Sequence, residues 1–286
     1  MRKVLGLVGA TMLFAGTASA ADLLKAPAMP LLGPGINWTG WYIGATAGYG
    51  WTNQGIDNVV TSTFCNPADG GCNPNVASAA LVAAIPPHLS TNPKGFIGGG
   101  EFGYNKQVGQ FVVGVEADIS GADIKGSDSA ARTVGVVGFP ANTVSVAAAA
   151  HEKLDFFATL RARFGFLVTP SLLAYGTGGF AFGHVSASTA FAEAVGGPCG
   201  CGPNVVTAAS SSATLPGWTA GGGLEWMFAP QWSLKGEYLY YDLGTMSYAQ
   251  TITQTDSLAA NFFSAGVSSI VHVKGNIARV GVNFHF

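Results

Sequence analysis

The charged residues of this sequence often occur two positions apart. Examples are Glu116 and Asp118, Arg161 and Arg163, and Lys235 and Glu237. Residues two apart lie on the same face of a β-strand, so each pair points in one direction while apolar residues point in the other. A buried charge must be paired, because one uncompensated buried charge costs several kcal/mol. The spacing therefore predicts ion pairs inside a sheet structure.

Composition limits the class of protein that can carry these charges. Only 10% of the 286 residues are charged, whereas a soluble globular domain has about 25%. Glycine contributes 41 residues. So much glycine disfavours a mostly helical chain, because each helical glycine costs about 1 kcal/mol relative to alanine. The chain has too little charge for an ordinary solvated surface and too much glycine for a mostly helical protein. Membrane helices need about 20 consecutive apolar residues, and only the segment at the very start comes near that length.

The first 20 residues have the features of a secretory signal peptide. Arg2 and Lys3 precede an apolar stretch, and Ala18-Ser19-Ala20 is a typical cleavage site, so the mature chain is expected to begin at Ala21. Residues 21–36 are predicted to form a periplasmic leader, and residues 37–286 the main domain. The mature chain has 11 basic and 15 acidic residues, which argues against nucleic-acid binding.

Period-two alternation identifies the secondary structure of the main domain. Residues 41–51 alternate aromatic or apolar side chains with small ones, and seven further segments are also interpreted as strands. The eight predicted strands are 41–51, 95–104, 110–119, 154–167, 172–183, 218–228, 232–241 and 276–286. Each is about as long as a tilted strand that crosses a membrane. The two faces of 172–183 cannot be assigned from the pattern.

The connections alternate between short and long. Turns at 105–109, 168–171 and 229–231 are short, whereas 52–94, 120–153, 184–217 and 242–275 are long. This alternation is typical of an outer-membrane barrel with short periplasmic turns and long extracellular loops. The sequence thus predicts an all-β, eight-stranded, antiparallel up-and-down transmembrane β-barrel with four long extracellular loops. A soluble sandwich or lipocalin-type barrel would not place charges inward and aromatic residues outward.

The predicted strands carry a set of inward-facing charges. An eight-stranded barrel has an interior just wide enough for side chains to fill it, so we expect a salt-bridged plug there. Its members are Glu101, Glu116, Asp118, Asp155, Arg161, Arg163, Glu225, Lys235, Glu237 and Arg279.

Both ends of the domain resemble a known family. The start, Asn37-Trp38-Thr39-Gly40-Trp41-Tyr42-Ile43-Gly44, and the segment Tyr175-Gly176-Thr177-Gly178-Gly179-Phe180-Ala181 are similar to the outer membrane immunogenic proteins of α-proteobacteria, which belong with the opacity-like barrels. The end resembles the C-terminal β-signal of outer-membrane proteins, carried here by Arg279, Gly281, Phe284 and Phe286. The resemblance implies an abundant outer-membrane protein that the barrel-assembly machinery inserts.

Other reactive residues suggest weaker hypotheses. Cys65 and Cys72 can form a disulfide that closes a small loop. A disulfide between Cys199 and Cys201 would be strained, because only one residue separates them. The alternative is that these two cysteines pair with Cys65 and Cys72. A Cys-x-Cys metal site lacks a nearby histidine, so no metal is expected.

His184 and Ser186 share a strand face and could serve a lipid A deacylase as base and nucleophile. Such an enzyme also needs an orienting acid, for which Glu193 is the nearby candidate. We prefer the simpler interpretation, in which His184 and Ser186 begin a polar loop that has no catalytic activity.

The predicted function is a structural, surface-exposed role in the cell outer membrane, without a cofactor. The alternatives are a narrow passive porin-like channel, and an adhesin or haem-binding protein that uses loop residues such as His88 or His151. Expected partners are outer-membrane lipids and lipopolysaccharide, the barrel-assembly machinery during insertion, and host or environmental ligands at the loops.

The C-terminal signal gives a first prediction. Deleting Phe286 removes the terminal aromatic anchor, so the fraction of the protein inserted in the outer membrane should fall. Membrane fractionation of expressing cells measures that fraction, and unchanged insertion would reject the role of Phe286.

Overall fold

Antiparallel strands dominate the computed structural model, which describes residues 36–66, 74–197, 205–255 and 262–286. The elements are β1 (Gly40–Trp51), β2 (Ile56–Asn66), α1 (Pro74–Ala84), β3 (His88–Leu89), β4 (Lys94–Val108), β5 (Phe111–Val136), β6 (Phe139–Thr169), β7 (Leu172–Gly196), β8 (Val205–Ala229), β9 (Trp232–Thr255) and β10 (Phe262–His285). The predicted signal peptide and all of the leader except Ile36 lie outside the described residues. So do Cys72, Cys199 and Cys201, and the disulfides therefore stay a prediction.

Eight strands close into a ring, as the alternation predicts. The order is β1-β4-β5-β6-β7-β8-β9-β10, and β10 pairs back onto β1 from Tyr42–His285 to Trp51–Asn276. Closure gives the backbone N–H and C=O groups of each strand partners on both sides, which a hydrocarbon environment requires. Each of the eight predicted segments lies in one of these strands, except that Gln110 and Phe286 fall one residue outside β5 and β10. Two-residue turns join β4 to β5, β6 to β7 and β8 to β9.

The outer face of the ring is apolar over one band. Alternate residues such as Phe96, Ile119 and Phe180 point outward and are 65–76% exposed. The structure also assigns the two faces of β7: Leu173 and Tyr175 are buried inside, and Phe180 and Phe182 are exposed outside. An apolar outer band of this kind is what lipid solvates.

In the described part of the chain, no helix is long and apolar enough to cross a membrane.

The long connections differ in form from the predicted loops, because the strands continue into them. β6 has 31 residues, whereas a tilted membrane-crossing strand needs about 9–11. The Ala-, Ser-, Thr- and Val-rich stretches above the apolar band keep the same alternation and extend the wall outward. Above the pair Trp218–Asp242, β8 pairs only with β7 and β9 only with β10 within the described residues, so the extended wall separates there.

The first long connection folds into the extracellular end. β2 pairs with the upper part of β10, in the position that β1 occupies lower down, and α1 packs against β5, β6, β10 and β2. Leu81 and Ala84 of α1 are fully buried in an apolar core with wall residues such as Phe191, Ile252 and Val267. The upper interior is therefore filled by a helix, which the sequence patterns did not indicate.

Small residues on the inner face of β1 make room for larger side chains from neighbouring strands. A Cβ atom at Gly48 would press on the backbone oxygen of Ala278 and lie 2.6 Å from Cβ of Arg279. Gly48 therefore lets β1 and β10 approach closely while Arg279 occupies the interior.

This close approach generates a prediction. Gly48→Ala should lower the free energy of unfolding by about 1–3 kcal/mol, the usual effect of overpacking a tight site. Gly236→Ala is the matched control, because nothing lies within 4 Å of a Cβ atom at Gly236. Urea unfolding of the refolded protein in detergent micelles measures both variants, and equal stabilities would contradict the packing argument.

Candidate functional site

A layer of charged side chains fills the middle of the barrel. The strand register places opposite charges directly across from each other: Glu116 faces Arg161, Glu225 faces Lys235, and Glu237 faces Arg279. All six point inward and are at most 5% exposed. Alternation on each strand sets the inward direction, and the shared register sets the common height.

Arg161 is the centre of this layer. Its guanidinium contacts the carboxylate of Glu116 and lies 3.0 Å from Asp118 and 2.9 Å from Glu237. Its Nε donates to Thr159 at 2.9 Å, and Thr159 in turn donates to Asp118. One cation thus holds carboxylates from two other strands, β5 and β9.

Three further cations complete the pairing. Arg279 lies 3.1 Å from Asp118 and 2.7 Å from Glu237. Lys235 lies 2.6 Å from Glu101 and 3.0 Å from Glu116.

Arg163 lies at the periplasmic side of the layer. It donates to Glu225 at 2.6 Å and to the Tyr42 hydroxyl at 3.0 Å, and its guanidinium lies 4.1 Å from the Tyr175 ring centroid. With this contact, each of the five carboxylates in the layer has a cation within 4 Å.

The structure brings nine of the ten predicted residues together, and the exception is Asp155. The prediction that Asp155 points into the lumen is wrong: it lies outside, 2.5 Å from Lys153. The cause is a β-bulge between Leu154 and Phe156, whose extra residue shifts the alternation by one. Below the bulge Phe157 and Thr159 point inward. Above it Leu154 and Glu152 point inward, whereas an inward Asp155 would have required Leu154 to face outward.

Several polar neighbours of the layer were not part of the predicted charge network. Ser233 donates to Glu225 at 2.6 Å, Asn283 donates to Glu225 at 2.9 Å, and His285 lies 2.9 Å from the Ser233 hydroxyl. Tyr42 donates to Glu116 at 2.6 Å. All occupy inward positions of the same alternation, so the pattern that found the charges also marks these residues.

A tryptophan closes the periplasmic end. Trp38 is fully buried against Val112, Leu167 and Leu173, and its indole N–H donates to the Pro170 oxygen at 3.1 Å. Its ring meets His285 edge-on at 5.8 Å. The residues just before β1 therefore fold into the barrel mouth below the charged layer.

The residues of the predicted assembly signal lie where the ring closes. Phe284 packs against Trp232 with ring centroids 5.1 Å apart, and the backbone N–H of Phe286 donates to the Trp41 oxygen at 3.0 Å. Gly281 lies opposite Thr46 of β1, and Arg279 belongs to the charged layer. The last strand thus joins the seam between the two ends of the sheet.

Two acidic residues lie above the membrane-crossing band and face inward. Burial raises the pKa of Glu152, although a hydrogen bond from Thr91 opposes that effect. Burial also raises the pKa of Glu193 to about 7, and neither of its carboxylate oxygens has a hydrogen-bond partner among the described residues. These groups lie in the apolar extracellular core, apart from the charged layer.

The three residues of the deacylase hypothesis do not share a face. His184 points outward, where it stacks on Phe156 and lies 3.2 Å from the Thr214 hydroxyl, and Ser186 follows on that face. Glu193 points inward and is 1% exposed. The proposed acid therefore lies on the opposite side of the wall from the base and the nucleophile.

The loop histidines of the haem hypothesis lie apart in the fold. His88 lies 2.6 Å from Asp57, which also lies 3.5 Å from His272, whereas His151 faces outward on β6. Among the residues that the structure describes, no group of three or more His, Cys, Asp or Glu residues has a metal-binding arrangement.

Comparisons with known proteins assign the family. A family model described as "Outer membrane protein beta-barrel domain" matches residues 8–270. The 31 kDa outer-membrane immunogenic protein of Brucella melitensis is 32% identical over the full length of both chains. The 25 kDa outer-membrane immunogenic protein of Brucella abortus is 26% identical and covers 86% of this chain and 87% of its own.

Solved structures were also matched. The attachment invasion locus protein Ail of Yersinia pestis has 13% identity and a TM-score of 0.29, covering 82% of this chain and 98% of its own. The outer membrane protein OprG of Pseudomonas aeruginosa has 13% identity and a TM-score of 0.34, covering 88% and 98%. The family assignment depends on the sequence matches alone.

The charged layer generates a stability prediction. Arg161→Met leaves the carboxylates of Glu116, Asp118 and Glu237 short of a cation, so the free energy of unfolding should fall by about 3–5 kcal/mol. Lys106→Met is the control, because Lys106 is exposed at the periplasmic end of β4. Urea unfolding in detergent micelles compares the two, and a loss no larger than the control's would contradict the role of Arg161.

Proposed function

Because this chain belongs to the outer-membrane β-barrel family and lies in the cell outer membrane, we propose that it has a structural, surface-exposed role in the envelope. In this role the barrel anchors the protein in the outer membrane, and the extended strands carry an extracellular wall. No reaction is part of the proposal.

The observation that carries the proposal is the filled interior. Trp38 occupies the periplasmic mouth, the charged layer occupies the middle, and α1 with its apolar core occupies the extracellular end. These three parts of the filling pack in different ways, so opening a route through the barrel would require three separate rearrangements. A barrel built in this way suits anchoring better than passage of solutes.

The extracellular wall supports the surface role. β5, β6, β7 and β8 continue well beyond the apolar band, and their outward residues there are mostly Ala, Ser and Thr. Regular pairing holds this wall in a fixed shape, which distinguishes it from a flexible loop. A rigid scaffold that displays its surface above a membrane is suited to contact with molecules outside the cell.

Two groups of partners belong to the proposal. The barrel-assembly machinery would read the last strand, where Phe286 lies at the β10–β1 seam. Outer-membrane lipids, including lipopolysaccharide, would surround the apolar band and the wall just above it.

Planar bilayer recording tests the closed interior. The refolded full-length protein should give no large, stable conductance, because the three layers block the lumen. Boiled protein at the same detergent concentration is the control for leakage caused by detergent. A stable, open conductance well above this control would overturn the proposal and favour a passive channel.

A further inference from the structure

Three lysines lie side by side on the outer face of the barrel. Lys94 of β4 pairs across to Lys125 of β5, and Lys125 pairs across to Lys153 of β6. All three side chains point outward and are exposed. This lysine row (Lys94, Lys125 and Lys153) has no part in the charged layer inside the barrel.

The same row continues as serines on the next two strands. Lys153 pairs with Ser186 of β7, and Ser186 pairs with Ser212 of β8. A second row one step higher contains Ser127, His151, Ser188 and Ser210. Most of the outward members of these rows line one shallow cavity of about 760 Å³. The two rows therefore form a polar, concave patch on an otherwise apolar or alanine-rich wall.

The electrostatics of the lysine row are unusual. Like charges directly opposite on neighbouring strands are destabilising. Lys125 lies 3.0 Å from Asp123, and Lys153 lies 2.5 Å from Asp155, so two of the three charges have a counter-ion within the protein. Lys94 has no ion pair within the described residues. The row consequently keeps a positive charge that a bound anion would neutralise.

The height of the patch indicates where the anion comes from. Phe96, the next outward residue after Lys94 on β4, lies one position closer to the apolar band, is 76% exposed and meets Tyr49 edge-on at 5.5 Å. Lys94 itself pairs with Trp51. Aromatic residues mark the boundary between the apolar band and the polar headgroups, so the row lies at the level of the outer-leaflet headgroups.

We propose that the lysine row and the adjoining serines bind the phosphorylated sugar headgroup of an outer-leaflet glycolipid. Lysine ammonium groups are good point-charge partners for phosphate, and serine hydroxyls can hydrogen-bond to sugar hydroxyls. The inference rests on the proposed envelope role and names the site on the barrel that holds one of its lipid partners.

The test compares lipid A binding by the refolded full-length protein and its variants in detergent micelles. The triple variant Lys94→Gln, Lys125→Gln and Lys153→Gln should bind bisphosphorylated lipid A at least about tenfold more weakly, since each lysine near a charged lipid surface contributes separately. Native mass spectrometry of the titrated samples measures the bound fraction. The single variant Lys94→Gln should show a smaller loss and serves if the triple variant does not fold.

Three controls make the result specific. The variant Lys106→Gln removes an exposed lysine at the periplasmic end of β4, far from the patch, and should bind like the wild type. The triple Lys→Arg variant keeps the charges and should also bind. Dephosphorylated lipid A, phosphatidylethanolamine and inorganic phosphate should each bind the wild type more weakly than bisphosphorylated lipid A.

The outcomes separate this inference from the proposed function. If folded lysine variants bind lipid A as tightly as the wild type, the glycolipid site is wrong while the envelope role stands. Equal binding of phosphatidylethanolamine would overturn the preference for a glycolipid. A wild-type protein that is absent from the outer-membrane fraction would instead refute the proposed function.

Discussion

Hydrogen bonding of the backbone in a hydrocarbon environment is the constraint on which this structure depends. A strand that crosses a bilayer has no water to satisfy its N–H and C=O groups, so the sheet must close on itself. Here closure is made by ten residue pairs between β1 and β10. Once the ring is closed, strand alternation sends one set of side chains to lipid and the other into a narrow interior. The low charge content of the chain follows, because a lipid-facing surface carries almost none.

The interior then has to accommodate the charges that remain on the strands. Arg161 and Arg279 bind carboxylates from other strands, so the charged layer links distant parts of the ring as well as neighbours. Tyr42 and Tyr175 add a hydroxyl and an aromatic face around Arg163. Replacement of any single member of this layer should destabilise the fold, because the missing partner leaves a buried charge unpaired. The charged layer also separates Trp38, in the periplasmic mouth, from the apolar core at the extracellular end.

The sequence predicted the features that depend on local alternation. Period-two patterns mark all eight crossing strands and nine of the ten inward charges. The short turns lie in the gaps between these patterns. The outward orientation of Asp155 was not predictable from the alternation, because a bulge arises from the pairing of β6 with its neighbours. Extension of the strands was missed because Ala-, Ser- and Thr-rich segments lack the contrast between apolar and charged faces. The burial of Trp38 and α1 depends on contacts between residues far apart in the chain.

The mature chain forms one closed barrel held in the outer membrane. Electrophoretic mobility of the protein from outer-membrane extracts, in dodecyl sulfate with and without boiling, tests it most directly. A closed sheet with paired charges inside should resist the detergent until it is heated, so the unboiled and boiled samples should migrate differently. A water-soluble mature protein whose mobility does not change on boiling would contradict the account.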